Sequence, residues 1–182
     1  MSSPIARFRT ALRRFGRARR GSAAVEFSIV ALPFFFLILG LAEIGLLGLA
    51  QSSLNFAVAE TGREIRTGQA QMSGVTAQQI ESRICTRLNR FMNMNCVGTL
   101  FVDVDRFNSF VEIDSQNSPI VNGEIDTSGF GYNPGAASDI VVVRVFYRWS
   151  VVTPMFQAVL GNVSGGDRML ISTMMFRNEP FQ

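Results

Sequence analysis

From Phe27 to Ala50 the chain is an apolar run that carries one charged residue, Glu43. As an α-helix those residues extend about 36 Å, enough to cross a hydrocarbon core of ~30 Å. A run of that length predicts a membrane span, and everything after it must fold on the far side of that span. Seven of the 17 basic residues, all of them arginine, lie at positions 7–20 with no acid among them. Arginine resists translocation, so this end is expected to stay in the cytoplasm while the C-terminal bulk crosses. The formal charge of +3 is therefore a property of the leader: residues 22–182 hold ten arginines against all 14 acids. A nucleic-acid binder would carry its basic patch on a folded domain, so no nucleic-acid partner is expected. The chain has no histidine, which removes most zinc sites and every histidine-based acid–base scheme.

The junction between arginines and span reads Arg19-Arg20-Gly21-Ser22-Ala23-Ala24-Val25-Glu26-Phe27. A span alone does not account for a carboxylate at its threshold, five residues after a glycine. Two ordinary readings remain open at this point. One is an uncut signal-anchor. The other is a cleaved secretory signal, with small residues at Gly40-Leu41-Ala42 and Gly48-Leu49-Ala50 offering cleavage points; against it, the apolar stretch is long and opens on Glu26. The junction resembles the class III signal of type IV prepilins, and Glu followed by an aromatic resembles the variant in tight-adherence (Flp) pilus systems. The resemblance implies that a prepilin peptidase cuts between Gly21 and Ser22. It makes Glu26 and Phe27 the fifth and sixth mature residues, and implies that Glu26 meets the free N-terminal amine of a neighbouring subunit during assembly. The competing reading of Glu26 is a solvated boundary residue.

Within the span, Glu43 lies about 24 Å along the axis from Phe27. That puts it near the outer interface, where its carboxylate is expected to reach headgroups or water. Pro33 removes one backbone hydrogen bond and is expected to bend or loosen the helix. Gly40, Ala42, Gly45 and Gly48 line the outer half with small residues, which permit close helix approach in lipid.

Past the span, Leu54, Ala57, Val58, Thr61 and Ile65 continue a helical period until Thr67-Gly68. Thr76-Ala77-Gln78-Gln79 fits a capping box opening a second helix, with Ile80, Ile84, Leu88 and Phe91 on one face. Cys85 and Cys96, in a domain sent outside the cytoplasm, are expected to form a disulfide. Leu100, Val102 and Val104 alternate with Asp103 and Asp105, and Val111 and Ile113 with Glu112 and Asp114. This predicts an antiparallel pair of strands with all four acids on the wet face, so no metal site is expected. Residues 115–138 read as a long loop. Asp139–Val152 is the strongest strand, expected to be central. A helical turn follows over Met155–Leu160, then a last strand over Arg168–Arg177.

Four later elements also resemble TadE-like pseudopilins of the tight-adherence systems. These are the post-span segment Ala57–Gly68, the valine-rich strand that begins at Asp139, the Trp149-Ser150-Val151-Val152-Thr153-Pro154 element and the terminal Arg177-Asn178-Glu179-Pro180-Phe181. The segment holds Gly62-Arg63 without the intervening alanine of the family's Gly-Ala-Arg-like element. The expected fold class is α+β of type IV pilin-like plan: a long N-terminal transmembrane helix, a small helix and an antiparallel β-sheet head. The expected division is a leader over residues 1–21, an N-terminal helix over 22–68 with its span at about 27–50, and an extracytoplasmic head over 69–182. The resemblance implies a minor pilin or pseudopilin supporting pilus assembly, held in the bacterial inner membrane with its N-terminus cytoplasmic. Its partners would be the prepilin peptidase, other pilins, the membrane platform and lipid. The alternative is a single-pass envelope binding or scaffold protein that never enters a filament. No base is placed to activate a hydroxyl and no phosphate loop exists, so neither enzymatic activity nor a cofactor is expected.

Overall fold

Despite Pro33 and four glycines, residues 22–66 form one helix, α1 (Ser22–Arg66), in the computed structural model. That structure describes residues 21–90, 92–114 and 118–181; the arginine-rich leader and Phe91 lie outside the described residues. The chain falls into two units, Met1–Ala42 and Glu43–Gln182. In the first, the helix turns outward the large side chains of Val25, Phe27, Ile29, Leu32 and Leu37. The helix is long and apolar enough to cross a membrane, and α-helical geometry continues through Pro33.

In the second unit the exposure pattern changes to a one-sided period. Ala50, Leu54, Ala57, Val58, Thr61 and Ile65 are each at most 1% exposed, spaced to fall on one face of α1. Against them pack Ile80, Ile84 and Leu88 of α3 (Ala77–Leu88) and the helix-facing side of a three-stranded sheet. Each fully buried Leu or Ile contributes about 1.5–3 kcal/mol. A one-turn helix, α2 (Gln69–Met72), links α1 to α3. Thr76 caps α3 as its sequence predicts, with Oγ1 accepting from Gln79 N and Gln79 Oε1 accepting from Thr76 N.

The sheet comprises β1 (Leu100–Phe107), β4 (Ile140–Trp149) and β5 (Arg168–Arg177) in the antiparallel order β1-β4-β5. The valine-rich strand is thus central. Its Val141, Val143, Val145 and Tyr147 join the main core under the helices. Phe146 faces away and joins a second cluster with Val163 and Met169, flanked by Phe101, Ile120, Ile125 and Phe130. Burial on both faces explains why this segment is so apolar.

Three expectations are corrected. Residues 110–114 form a short helix, α4 (Phe110–Asp114), instead of a strand. The local cause is a cap: Ser109 Oγ accepts from Glu112 N, and Glu112 Oε2 accepts from Asn108 N. The strand partner of β1 is β4, much further along the chain, which pairs with it from Leu100↔Tyr147 to Phe107↔Ile140. The segment read as one long loop contains a two-residue hairpin, β2 (Ile120–Val121) with β3 (Glu124–Ile125). Its later part covers the free edge of β1, where Val104 N donates to Gly131 O and Asn133 N donates to Val104 O. Covering that edge blocks strand addition from another chain.

After β4, α5 (Pro154–Leu160) begins with Pro154 at its first position and ends at Gly161. The C-terminal residues then strap the sheet to the end of α1. Glu179 N donates to Arg66 O, the Arg66 and Glu179 side chains pair at 2.9 Å, and Asn178 Nδ2 donates to Pro134 O and Ala136 O.

Candidate processing and anchoring site

The candidate processing residues open α1. Gly21 is exposed, and a Cβ built on it would meet nothing within 4 Å. Among the described residues, nothing packed around this position demands a glycine. Glu26 is exposed one turn into the helix, and Phe27 beside it is 71% exposed. Ser28 Oγ donates to Ala24 O, which keeps that hydroxyl on the helix surface. The first turns of α1 thus present a bare backbone position, a carboxylate and an aromatic ring to their surroundings.

The second carboxylate along α1 is placed differently from its sequence expectation. Glu43 is 2% exposed, buried against the head rather than open to its surroundings. Its Oε1 accepts from Val152 N at 2.9 Å, and its Oε2 accepts from Thr153 N at 3.1 Å and Thr153 Oγ1 at 2.8 Å. Thr153 is the N-cap of α5. The Trp149–Pro154 element therefore closes around Glu43 and satisfies its charge with two backbone amides and a hydroxyl. This is how a carboxylate can stand in an otherwise apolar helix without headgroup contact. The alternation of apolar residues in the sequence carried no sign of this contact, because its donors lie more than a hundred residues away.

Two further groups hold the head to α1. Glu64 accepts from Arg83 Nη1 at 2.8 Å and from Arg87 Nη2, while Arg87 Nη1 donates to the buried Thr61 Oγ1 at 2.7 Å. Gly62 lets β5 approach closely. A Cβ there would fall 2.4 Å from Met174 Sδ and 3.2 Å from Phe176 Cε1.

Cys85 and Cys96 form the expected disulfide, with Cα atoms 6.0 Å apart. It ties the end of α3 to the chain entering β1, where Tyr147 Oη donates to Asn95 O at 3.0 Å. Closing this short loop contributes about 2–3 kcal/mol.

The four acids assigned to one wet face are separated. Asp103 is fully buried, accepting from Arg144 Nε and Nη2 at 2.8 and 2.6 Å and from Gly131 N at 3.0 Å. Asp105 lies partly buried in a polar cleft with Arg144, Asp126 and Phe130. Burial, followed by the neighbouring Asp103 charge, pushes its carboxyl above the usual range, with Arg144 pulling the other way. Glu112 and Asp114 are on α4. The cleft brings together the guanidinium of Arg144, already paired with Asp103, and the carboxylates of Asp105 and Asp126, with Ser118 and Ser128 on its wall.

Residues 21–63, the opening and most of the length of α1, match the family model described as TadE-like protein. The match begins at the glycine that precedes the expected cut, passes through Glu26 and Phe27, and ends beside the glycine on which β5 rests. It agrees with the resemblance carried by the N-terminal motif and the post-span segment, and it leaves the sheet outside its bounds. Comparison with curated proteins and with solved structures gave no match.

Proposed function

We propose that this chain is a minor pilin or pseudopilin that supports assembly of a tight-adherence type IV pilus. A prepilin peptidase trims the precursor after Gly21, and α1 holds the mature protein in the inner membrane with its head outside the cytoplasm. The observation that carries this reading is the position of the TadE-like match: it starts at Gly21 and follows α1 to Arg63. An exposed carboxylate one turn into an apolar helix supports it further. When helices bundle and water is excluded, a carboxylate at this position is stabilised by an amine brought close to it. Cleavage creates such an amine at Ser22, on the same chain or a neighbour.

The test is N-terminal sequencing and intact mass after expression with and without the cognate peptidase. The expected mature terminus is Ser22, formed only when the peptidase is present. A terminus at Glu43 or Gln51 would make the run a secretory signal, and an uncut chain would make it a signal-anchor for a scaffold outside any filament. Glu26→Gln supplies a second arm. It is expected to preserve membrane level and cleavage while lowering recovery of co-purifying pilins; equal recovery with normal pili would deny the charge a role in assembly.

A further inference from the structure

The short helix α5 is built inside out. Its seven residues carry no charge, and the aromatic Phe156 is buried as expected. Its one polar side chain, Gln157, also turns inward: Nε2 donates to Val151 O, and the side chain lies against Gly166. The outward positions are Pro154, Met155, Ala158 and Val159, preceded by Val152. Val152, Met155 and Val159 are 67%, 57% and 77% exposed. A helix at a water-facing surface shows the reverse pattern, polar residues out and apolar residues in. A contiguous apolar face of this kind marks an interaction surface.

The place of α5 selects its partner. Glu43 binds Val152 and Thr153, so the start of α5 is fixed at the level of Glu43 on α1. Beyond Glu43, Ile44 and Leu49 are also more than half exposed. Counted from Phe27, the ~20 residues that cross a hydrocarbon core end near Leu46. The outward face of α5 therefore begins where hydrocarbon gives way to headgroups and continues the apolar surface of the helix beside it. We propose that the Val152–Val159 face lies in the outer-leaflet interface of the bilayer, as a second membrane contact alongside the span. The Glu43 contact then has two effects: it removes a charge from lipid and sets this face at the membrane surface. The partner is lipid, and the inference rests on the reading of α1 as a membrane anchor.

Site-directed spin labelling of the full chain in vesicles of phosphatidylethanolamine and phosphatidylglycerol tests it. Both native cysteines are in the disulfide, so an introduced thiol is the sole reactive one. Labels go at Met155→Cys and Val159→Cys, with Leu37→Cys in the span and Met72→Cys beyond the far end of α1 as references. Collision rates with oxygen and with a water-soluble nickel chelate are measured at each. The expected oxygen-to-nickel ratio at positions 155 and 159 is several-fold above that at 72 and below that at 37, as an interfacial depth requires. A ratio like that at 72, with 37 in lipid, overturns the inference and leaves the anchor standing. Low collision with both reagents at 155 and 159 also overturns it, because a protein surface then covers this face. A water-like label at 37 removes the anchor reading and the inference with it.

Discussion

Replacing Glu43 by alanine is expected to loosen the head from its helix. The carboxylate accepts three hydrogen bonds within 3.1 Å and is 2% exposed, so solvent does little to screen it. Hydrogen bonds to a charged group are worth roughly 1.5–3 kcal/mol each, but removal of one partner is not additive over bonds that share an acceptor. The Val152 and Thr153 amides would lose their acceptor, at about 1–3 kcal/mol for each one left unsatisfied. Partial relief comes from water reaching the vacated space, so the net loss is expected at about 2–4 kcal/mol. Glu43→Gln keeps one acceptor oxygen but sets an amide donor against the donors of Val152 or Thr153, and is expected to recover only part of that. Trp149, the single tryptophan, stands four residues before Thr153 and reports urea unfolding of the detergent-solubilised protein by fluorescence. Hydrogen exchange over residues 150–160 supplies the local measure, with the Val152 and Thr153 amides expected to lose protection in the alanine variant. An unchanged urea midpoint, together with amides that already exchange freely in the wild type, would refute the contact. Glu43 would then be the solvated boundary residue that its position in the span suggests.

Two further outcomes follow from the head. Asp105 has a raised carboxyl pKa, so the folded state favours its protonated form. Its contribution to stability is full below the unfolded pKa near 4 and is lost as pH rises through the higher folded value; Asp105→Asn is therefore expected to gain roughly half a kcal/mol at neutral pH, shrinking toward zero in acid, as read from urea midpoints across pH. Gly68 has φ +78° and a Cβ there would fall 2.3 Å from Phe181 Cγ, so Gly68→Ala is expected to cost more than about 1 kcal/mol, with a smaller cost when Phe181→Ala removes the ring.

Much of the plan was readable because it rests on period and punctuation. The apolar run, the capped helix at Thr76 and the strand over Arg168–Arg177 each announce themselves within a few residues. So did the central place of β4, whose one face is Val141, Val143, Val145, Tyr147 and Trp149 while the other mixes apolar residues with Arg144 and Arg148. Residues 110–114 misled because Val111 and Ile113 alternate with acids as a strand would. Ser109-Phe110-Val111-Glu112 also carries a helix-start signal, and here the cap decided over the alternation. The hairpin at 120–125 was hidden by its length: two residues per strand cannot show a period. Its turn signal, Asn122-Gly123, was present, with φ of +52° and +78° at those two residues.

The buried acids were not readable, and both failures have one cause. Alternation along a strand places a side chain on a face but does not say what that face meets. Asp103 is on the face opposite the helices, yet Arg144, its register partner on β4, and the Gly131 amide close over it. Glu43 sits in an apolar helix, yet a loop from the far end of the sheet supplies its donors. In each case the compensating group is brought by a chain reversal that local pattern does not encode. Burying a carboxylate is tolerable only when charge or amide donors surround it, so a lone acid in an apolar stretch implies an unseen partner as readily as it implies solvent. The donors for Glu43 are Val152 and Thr153, which gives the Trp149–Pro154 segment a physical role. It closes around the one charge in the apolar run, and in doing so it sets where the head begins on α1.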